Sequence, residues 1–253
     1  MNMNDRIVPP GLSNWCISAQ GLDCYDRIKD LYDSDTEGAY RKILQLRLPT
    51  VMRIDCSPNE FVSRPDSFFE QIPSDTYWVA VNSDSNKSAP RERAYNLERS
   101  AALDFVNKLV CSGGGYNLME LKEDRRYDYS GTISVAPNSF DVYVEAVNGG
   151  LSDLMHGGRV DHIAIRDSFT GSFKYYTDDI EARRSIFNAV SRIPSPTPDG
   201  ENVPARDRLY VRGQYEVMIS QGRPFFTEYT DNRVVSEVFR DVGIVAVGDI
   251  ATI

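Results

Sequence analysis

Hydrophobic and polar positions divide the chain into an α+β front part and a β-rich back part. Apolar residues at helical spacing predict a helix over Glu37–Leu48 and a longer one over Arg93–Val110. In the back part, short apolar or alternating runs predict strands at Asn117–Lys122, Gly131–Ala136, Phe140–Val147, Arg159–Asp167 and Lys174–Tyr176. A helix over Asp178–Val190 follows, because acidic residues suited to helix capping precede its apolar stripe. The pattern predicts an α+β fold with mixed or antiparallel sheets, in two lobes of residues 1–115 and 116–253.

Two glutamates, Glu216 and Glu228, lie twelve residues apart on a predicted β-hairpin whose turn is Gln221–Arg223. The length of the loop decides how they face. A three-residue loop sets them directly opposite each other on one face, whereas a two-residue loop puts them on opposite faces. Facing carboxylates repel unless a cation lies between them or one is protonated, and hard oxygen ligands suit Mg²⁺. The alternative interpretation is a solvated strand face with two unrelated acids.

Charge and composition narrow the classes of partner. The chain has 253 residues and a net charge of −9, and its basic residues are interleaved with acidic ones, which argues against a nucleic-acid surface. No stretch approaches about twenty apolar residues, and the N-terminus has no signal-peptide core, so we expect neither a membrane span nor secretion. The four cysteines are scattered and form no close pair. They predict reduced thiols in a cytoplasmic protein without a structural zinc site.

Short motifs in the back part follow one another in a fixed order. They are Asn117–Lys122, Tyr129–Val135 and Val142–Val160. Together they resemble the ATP-grasp domain of the phosphoenolpyruvate synthase and pyruvate phosphate dikinase type, whose glutamine motif is followed ten residues later by Ser-Gly. Glu120 stands in place of that glutamine, and Ser130 follows it by ten residues. In the front part, Gly38–Pro49 and Trp78–Ser85 are similar to the opening segments of the family.

The hairpin resembles the metal-binding segment of the same family, where a Glu and a Gln twelve residues apart coordinate the metal ion on ATP. Glu216 matches the first position and Glu228 the second, and Glu228 also suits the second Glu of other ATP-grasp ligases. The resemblance implies a two-lobed ATP-grasp-like fold that binds MgATP between its lobes, with Mg²⁺ on this pair. It further implies nucleotide contacts from four residues, and we expect a basic loop of this chain to contact the phosphates. The nucleotide-binding candidates are Glu120, Lys122, Glu145 and Asp153, and the catalytic candidates are Lys87, Arg91 and Arg93.

The chain departs from the family at three cationic positions. The lysine beside the opening helix is missing, Asn82 replaces one arginine, and Thr230 replaces another. The phosphohistidine and phosphoenolpyruvate domains of the family lie outside this sequence. Fewer cations weaken the charge stabilisation that phosphoryl transfer requires, unless the basic loop replaces them.

Two functions of different classes follow from these features. The first is a MgATP-binding enzyme that transfers phosphate to a small acceptor or activates the carboxylate of that acceptor. The alternative is a catalytically degenerate ATP-grasp-like fold that acts as a binding or assembly module. A structural protein of a virus or particle is a third hypothesis, which the acidic composition permits but does not favour. The enzyme and the binding module can be distinguished by the direction in which Lys87, Arg91 and Arg93 point.

Overall fold

In this computed structural model, the described residues are 40–82, 92–136, 140–150, 160–197, 200, 202–204 and 207–231. The strands are β1 (Arg53–Cys56), β2 (Thr76–Asn82), β3 (Glu92–Leu97), β4 (Leu118–Asp124), β5 (Tyr129–Val135), β6 (Val142–Asn148), β7 (His162–Arg166), β8 (Phe173–Tyr175), β9 (Gly213–Ser220) and β10 (Arg223–Asp231). After a helical segment at 40–45, the helices are α1 (Pro58–Ser63), α2 (Pro65–Gln71), α3 (Arg99–Cys111) and α4 (Ile180–Arg192). Every strand pair in these ranges is antiparallel. The predicted α+β class is therefore confirmed, with antiparallel rather than mixed sheets.

The chain forms two compact units. Val51–Arg126 makes the smaller unit, and the described residues before Val51 and after Arg126 make the larger one. The sequence predicts two lobes, 1–115 and 116–253. These bounds follow the order of the motifs along the chain, and the two lobes stay a prediction. In the described part of the chain, no helix is long and apolar enough to cross a membrane.

The smaller unit is a four-stranded sheet in the order β1-β4-β2-β3 with three helices on one face. Strand alternation sends every second side chain of β2 and β4 toward those helices. The buried contacts on this face come from Phe61, Phe69, Tyr77, Val79, Val106 and Leu121. The opposite face of the sheet carries charged residues, including Glu120 and Lys122 of β4.

The predicted helix over Arg93–Val110 is wrong in its first part. Glu92–Leu97 forms β3, which pairs with β2 along the edge of the sheet, and the helix begins at Arg99 after the extended residue Glu98. Backbone pairing with a strand more than ten residues earlier is a non-local contact, and helical spacing within the segment does not reveal it.

The larger unit is a six-stranded sheet in the order β10-β9-β5-β6-β7-β8. One face packs against α4. Its core contacts include Ile133, Val144, Val217 and Phe226 from the sheet and Ile186 and Val190 from the helix. Alternation then directs the residues between these to the opposite side, which we call the polar face. It carries Ser130, Thr132, Ser134, Glu145, Gln214 and Thr230, all of them buried.

Strands β5 and β6 approach too closely for a side chain at Gly131. A β-carbon placed there would lie 2.3 Å from the carbonyl oxygen of Glu145 and 2.9 Å from the β-carbon of Ala146. The first contact is with backbone, which cannot move aside without disturbing the ladder. Glycine at this position therefore keeps β5 in register with β6.

We expect Gly131→Ala to destabilise the protein by about 1–3 kcal/mol, because the added methyl group overpacks the sheet against rigid backbone. Gly150→Ala is the matched control, since a β-carbon there meets nothing within 4 Å. Urea unfolding of both variants measures the free energies. Equal effects of the two substitutions would show that the close approach of β5 and β6 is not what selects glycine.

Asp179 caps the N-terminus of α4 and ties the helix to β5. Its carboxylate accepts hydrogen bonds from the backbone N–H of Glu181 (2.9 Å) and Ala182 (3.1 Å) and from the hydroxyl of Tyr129 (3.0 Å). The Ala182 bond, followed by the Tyr129 and Glu181 bonds, holds the pKa of Asp179 below its ordinary value of 3.8, against the opposing effect of burial. Burial and the bond to Asp179 also raise the pKa of Tyr129 to about 12, so that the phenol remains a donor.

Asp179→Ala should lower the free energy of unfolding by about 1 kcal/mol near neutral pH through loss of the cap. Asp179→Asn keeps a capping oxygen but no titratable charge. Because the pKa of Asp179 is lowered on folding, the charge-dependent stabilisation is present above about pH 4 and is lost as the pH falls through the folded pKa. The stability difference between wild type and Asp179→Asn should therefore shrink in acid, measured by urea unfolding across that range. A difference that does not change with pH would contradict this assignment.

Candidate functional site

The hairpin of β9 and β10 brings Glu216 and Glu228 directly opposite each other. Its turn is the two residues Gln221 and Gly222, with φ of 52° and 70°, the positive values that tight hairpin turns require. A two-residue turn alone would put the glutamates on opposite faces, because Phe226 pairs with Val217 and the next residue would meet Glu216. A β-bulge between Phe226 and Glu228 inserts one unpaired residue and restores the facing pair.

Hydrogen bonds from neighbouring segments hold this hairpin in place. The carboxylate of Asp128 accepts from the backbone N–H of Gln221 at 2.6 Å, and the side-chain amide of Asn188 donates to the carbonyl of Gly222 at 2.7 Å. Farther along β10, the N–H of Phe226 donates to the carbonyl of Pro49 at 2.7 Å. The turn and the start of the bulge are thus both anchored, which restrains the register on which the glutamate pair depends.

The polar face continues the glutamate pair across two more strands. Glu216 of β9 lies opposite Thr132 of β5, and Thr132 lies opposite Glu145 of β6. We call Glu228, Glu216, Thr132 and Glu145 the acidic row. Neighbouring strands are about 4.8 Å apart, so Glu145 is roughly 10 Å from Glu216 along the row. Thr132 and Glu145 are fully buried, whereas Glu216 and Glu228 are half-buried.

The two carboxylates of the pair are ligands of the kind that hard cations prefer. If the two carboxylates keep the strand spacing of about 5 Å, they repel by roughly 3 kcal/mol at an effective dielectric constant of about 20. A divalent cation between them converts that repulsion into attraction. Within the described ranges, no three Asp, Glu, His or Cys side chains lie close enough together to hold a metal ion. Glu216 and Glu228 would therefore need further oxygen ligands from phosphate or water, which is how Mg²⁺ is usually bound.

An orphaned hydroxyl lies beside the pair. The Oγ1 atom of Thr132 is buried and has no hydrogen-bond partner, although Thr132 is flanked by carboxylates on both neighbouring strands. The hydroxyl of Tyr143, on the same face, is buried without a partner as well. Buried polar groups without partners are rare in folded proteins and often mark an absent ion or water. The donor set of the acidic row thus fits a hard, hydrated cation.

The other predicted nucleotide-binding residues of known position lie in the smaller unit. The ammonium of Lys122 is 3.0 Å from the carboxylate of Glu120 and 4.1 Å from the ring centre of Trp78. Arg53 lies 3.5 Å from the same carboxylate. Lys122 and Glu120 are each less than one quarter exposed, so they neutralise each other within a partly buried cluster.

The predicted catalytic residues are only partly described. Arg93 is exposed on β3, where its α-carbon pairs with that of Ala80. Lys87 and Arg91, together with the predicted nucleotide-binding residue Asp153, lie outside the described residues. The structure therefore brings together Glu216, Glu228 and Glu145 on one sheet.

Thr132 is the site residue that sequence reasoning missed. Its signal was present, because Ser130, Thr132 and Ser134 alternate with the core residues Ile133 and Val135, as on a strand with one polar face. The sequence does not show that the hydroxyl of Thr132 lies between two glutamates, because this follows from the register of the strands.

The bulge leads to contrasting predictions for cation binding by two variants of this hairpin. Deleting Thr227 removes the unpaired residue, and Glu228 then pairs with Glu216 in a regular ladder, so binding of a cation should be retained. The double substitution Thr227→Glu/Glu228→Thr keeps composition and charge but moves the carboxylate out of the pair, so binding should be lost. The Mg²⁺-dependent part of thermal stabilisation by ATP measures both. The reverse ranking of the two variants would rule out the facing pair as the binding element.

Comparison with protein-family models and with curated proteins finds no match to the sequence. Several solved structures are similar in fold. A RimK-domain ATP-grasp protein from Sphaerobacter thermophilus is 15% identical with a TM-score of 0.38, over 84% of this chain and 64% of its own. Macrocyclase MdnC from Microcystis aeruginosa, bound with precursor peptide MdnA, is 12% identical with a TM-score of 0.37, over 77% and 51%. D-alanine–D-alanine ligase from Bacillus anthracis is 11% identical with a TM-score of 0.37, over 80% and 65%.

The chain thus spans between about half and two thirds of the length of these structures. Its α+β fold with antiparallel sheets is consistent with the ATP-grasp-like architecture expected from the sequence motifs. The expected relationship to phosphoenolpyruvate synthase and pyruvate phosphate dikinase stays a prediction.

Proposed function

We propose that this protein is an ATP-grasp-like MgATP-binding enzyme that transfers phosphate to a small acceptor or activates the carboxylate of that acceptor. The observation that carries the proposal is the facing pair of Glu216 and Glu228, which a two-residue turn alone would have separated. A bulge that restores the pair is a feature that proteins tend to keep for a purpose, and bulges are over-represented beside active sites.

Glu216 and Glu228 would hold the cation through carboxylate oxygens, and the remaining positions would be filled by phosphate oxygens and water. When bound, Mg²⁺ supplies charge neutralisation and orientation for the phosphates. The sheet contributes rigidity, since both glutamates belong to paired strands and the hairpin is tied to Asp128 and Asn188. Positioning of this kind is the main contribution that a protein makes to phosphoryl transfer.

The remaining roles stay predictions of the sequence. Glu120, Lys122, Glu145 and Asp153 would contact the nucleotide, and Lys87, Arg91 and Arg93 would neutralise its phosphates. A cytoplasmic location and homo-oligomer formation are likewise expectations, as is the absence of nucleic-acid and membrane partners.

Two observations favour the alternative, a catalytically degenerate fold used as a binding or assembly module: Arg93 is exposed on β3, and the ammonium of Lys122 already has partners. Lys122 already has a carboxylate at 3.0 Å and an aromatic ring beneath its ammonium, so releasing it toward a phosphate would break both contacts. With Asn82 in place of the family arginine, the smaller unit offers few cations that could bind phosphate.

The deciding experiment is a thermal-shift titration with ATP, ADP and GTP, each with and without Mg²⁺. A ligand at about 100 times its Kd stabilises the folded state by roughly 2.7 kcal/mol, so a genuine site is measurable. Glu216→Gln/Glu228→Gln should lose the Mg²⁺-dependent part of the ATP shift. Glu60→Gln/Glu181→Gln makes the same charge change on exposed helical positions and should keep it.

A folded wild-type protein that responds to no nucleotide would contradict the enzyme and leave the binding module. A shift that is equal in both double variants would place the nucleotide elsewhere on the molecule.

A further inference from the structure

Threonine at position 132 is unfavourable for stability, because it buries a hydroxyl group in the sheet. Its side chain is completely buried, with an exposed fraction of 0%, and its hydroxyl makes no hydrogen bond. A buried polar group left without a hydrogen-bond partner destabilises the folded state. Valine has nearly the same shape and the same preference for strands, and it would fill the site without that cost. Packing therefore does not account for the hydroxyl.

The surroundings of Thr132 indicate what the hydroxyl serves. It lies opposite Glu216 on one side and Glu145 on the other, in the middle of the acidic row. Directly opposed residues have β-carbons about 4.5–5.5 Å apart, so a rotation about the side-chain torsions of a glutamate brings its carboxylate within reach of the hydroxyl. Of these two glutamates, Glu216 belongs to the facing pair and is half-buried, whereas Glu145 lies outside the pair and is fully buried.

We infer that Thr132 is a positioning residue of the cation site: its hydroxyl donates a hydrogen bond to the carboxylate of Glu216 when a divalent cation is bound. This inference rests on the proposed function. Carboxylates that bind metals are generally held by hydrogen bonds from neighbouring groups, which fix the orientation of the coordinating oxygens. Binding of a cation would thus give the buried hydroxyl of Thr132 a hydrogen-bond partner.

The test compares Thr132→Val, which removes the hydroxyl and keeps the shape, with Thr132→Ser, which keeps the hydroxyl. Tyr143→Phe is the matched control, because it removes the other orphaned hydroxyl of the same face at a position outside the acidic row. Two quantities are measured for each variant. They are the apparent Kd for Mg²⁺ at saturating ATP, by isothermal titration calorimetry, and the unfolding temperature without cation and nucleotide.

Thr132→Val should raise the apparent Kd for Mg²⁺ about 10-fold or more, which is the usual effect of losing a hydrogen bond to a metal-ligating group. Thr132→Ser and Tyr143→Phe should each change the apparent Kd by less than about 3-fold. Without cation, Thr132→Val should unfold at the same temperature as wild type or higher, because it removes an unsatisfied group. A residue with a merely structural role would show the opposite combination, a lower unfolding temperature and an unchanged Kd.

The outcomes distinguish a failure of this inference from a failure of the proposed function on which it rests. Wild-type binding of Mg²⁺ with an unchanged Kd in Thr132→Val overturns the role of Thr132 and leaves the proposed function standing. No Mg²⁺ response in the wild type overturns both. Failure of Thr132→Val to fold, or a marked loss of its stability without cation, shows that the hydroxyl already has a partner and also overturns the inference.

Discussion

The register of the six-stranded sheet is the constraint on which the rest of this molecule depends. Successive side chains of a strand alternate between faces, so a shift of one residue exchanges the core-facing set for the polar set. In the larger unit, that alternation sends Ile133, Val144 and Val217 to α4 and leaves Thr132, Glu145 and Glu216 on the other side. Core packing and the candidate site are therefore two results of one pairing pattern, and neither can move without the other.

Much of this arrangement was accessible from the sequence, and the failures have local causes. Capping chemistry located α4 to within two residues, because Asp179 accepts from the first backbone N–H groups as a cap should. Alternation located β5 and β6, and the twelve-residue separation pointed to the glutamate pair. The bulge was not accessible, since it arises from pairing between strands and has no period of its own. For the same reason β3 was mistaken for the start of a helix.

Both sheets carry charged side chains on the face opposite their helices. In the smaller unit, Glu120, Lys122 and Arg53 compensate one another within a partly buried cluster, which limits the cost of removing them from water. In the larger unit, the acidic row concentrates carboxylates on a face where Glu145 and Thr132 are fully buried. Burial of a carboxylate or of a hydroxyl requires compensating interactions, whereas valine or leucine at the same positions would not. Departures from local rules of this kind are typical of sites kept for function.

The two-residue turn and the bulge have a consequence for comparing this chain with other hairpins that carry a facing pair of acids. A hairpin with a three-residue turn and a regular ladder would present the same two carboxylates to each other, because the residue absorbed by the bulge would simply have moved into the turn. The number of residues between the glutamates is what both designs share. Alignment gaps in this segment are therefore best placed so that the facing pair is preserved, even where doing so misaligns the glycine of the turn.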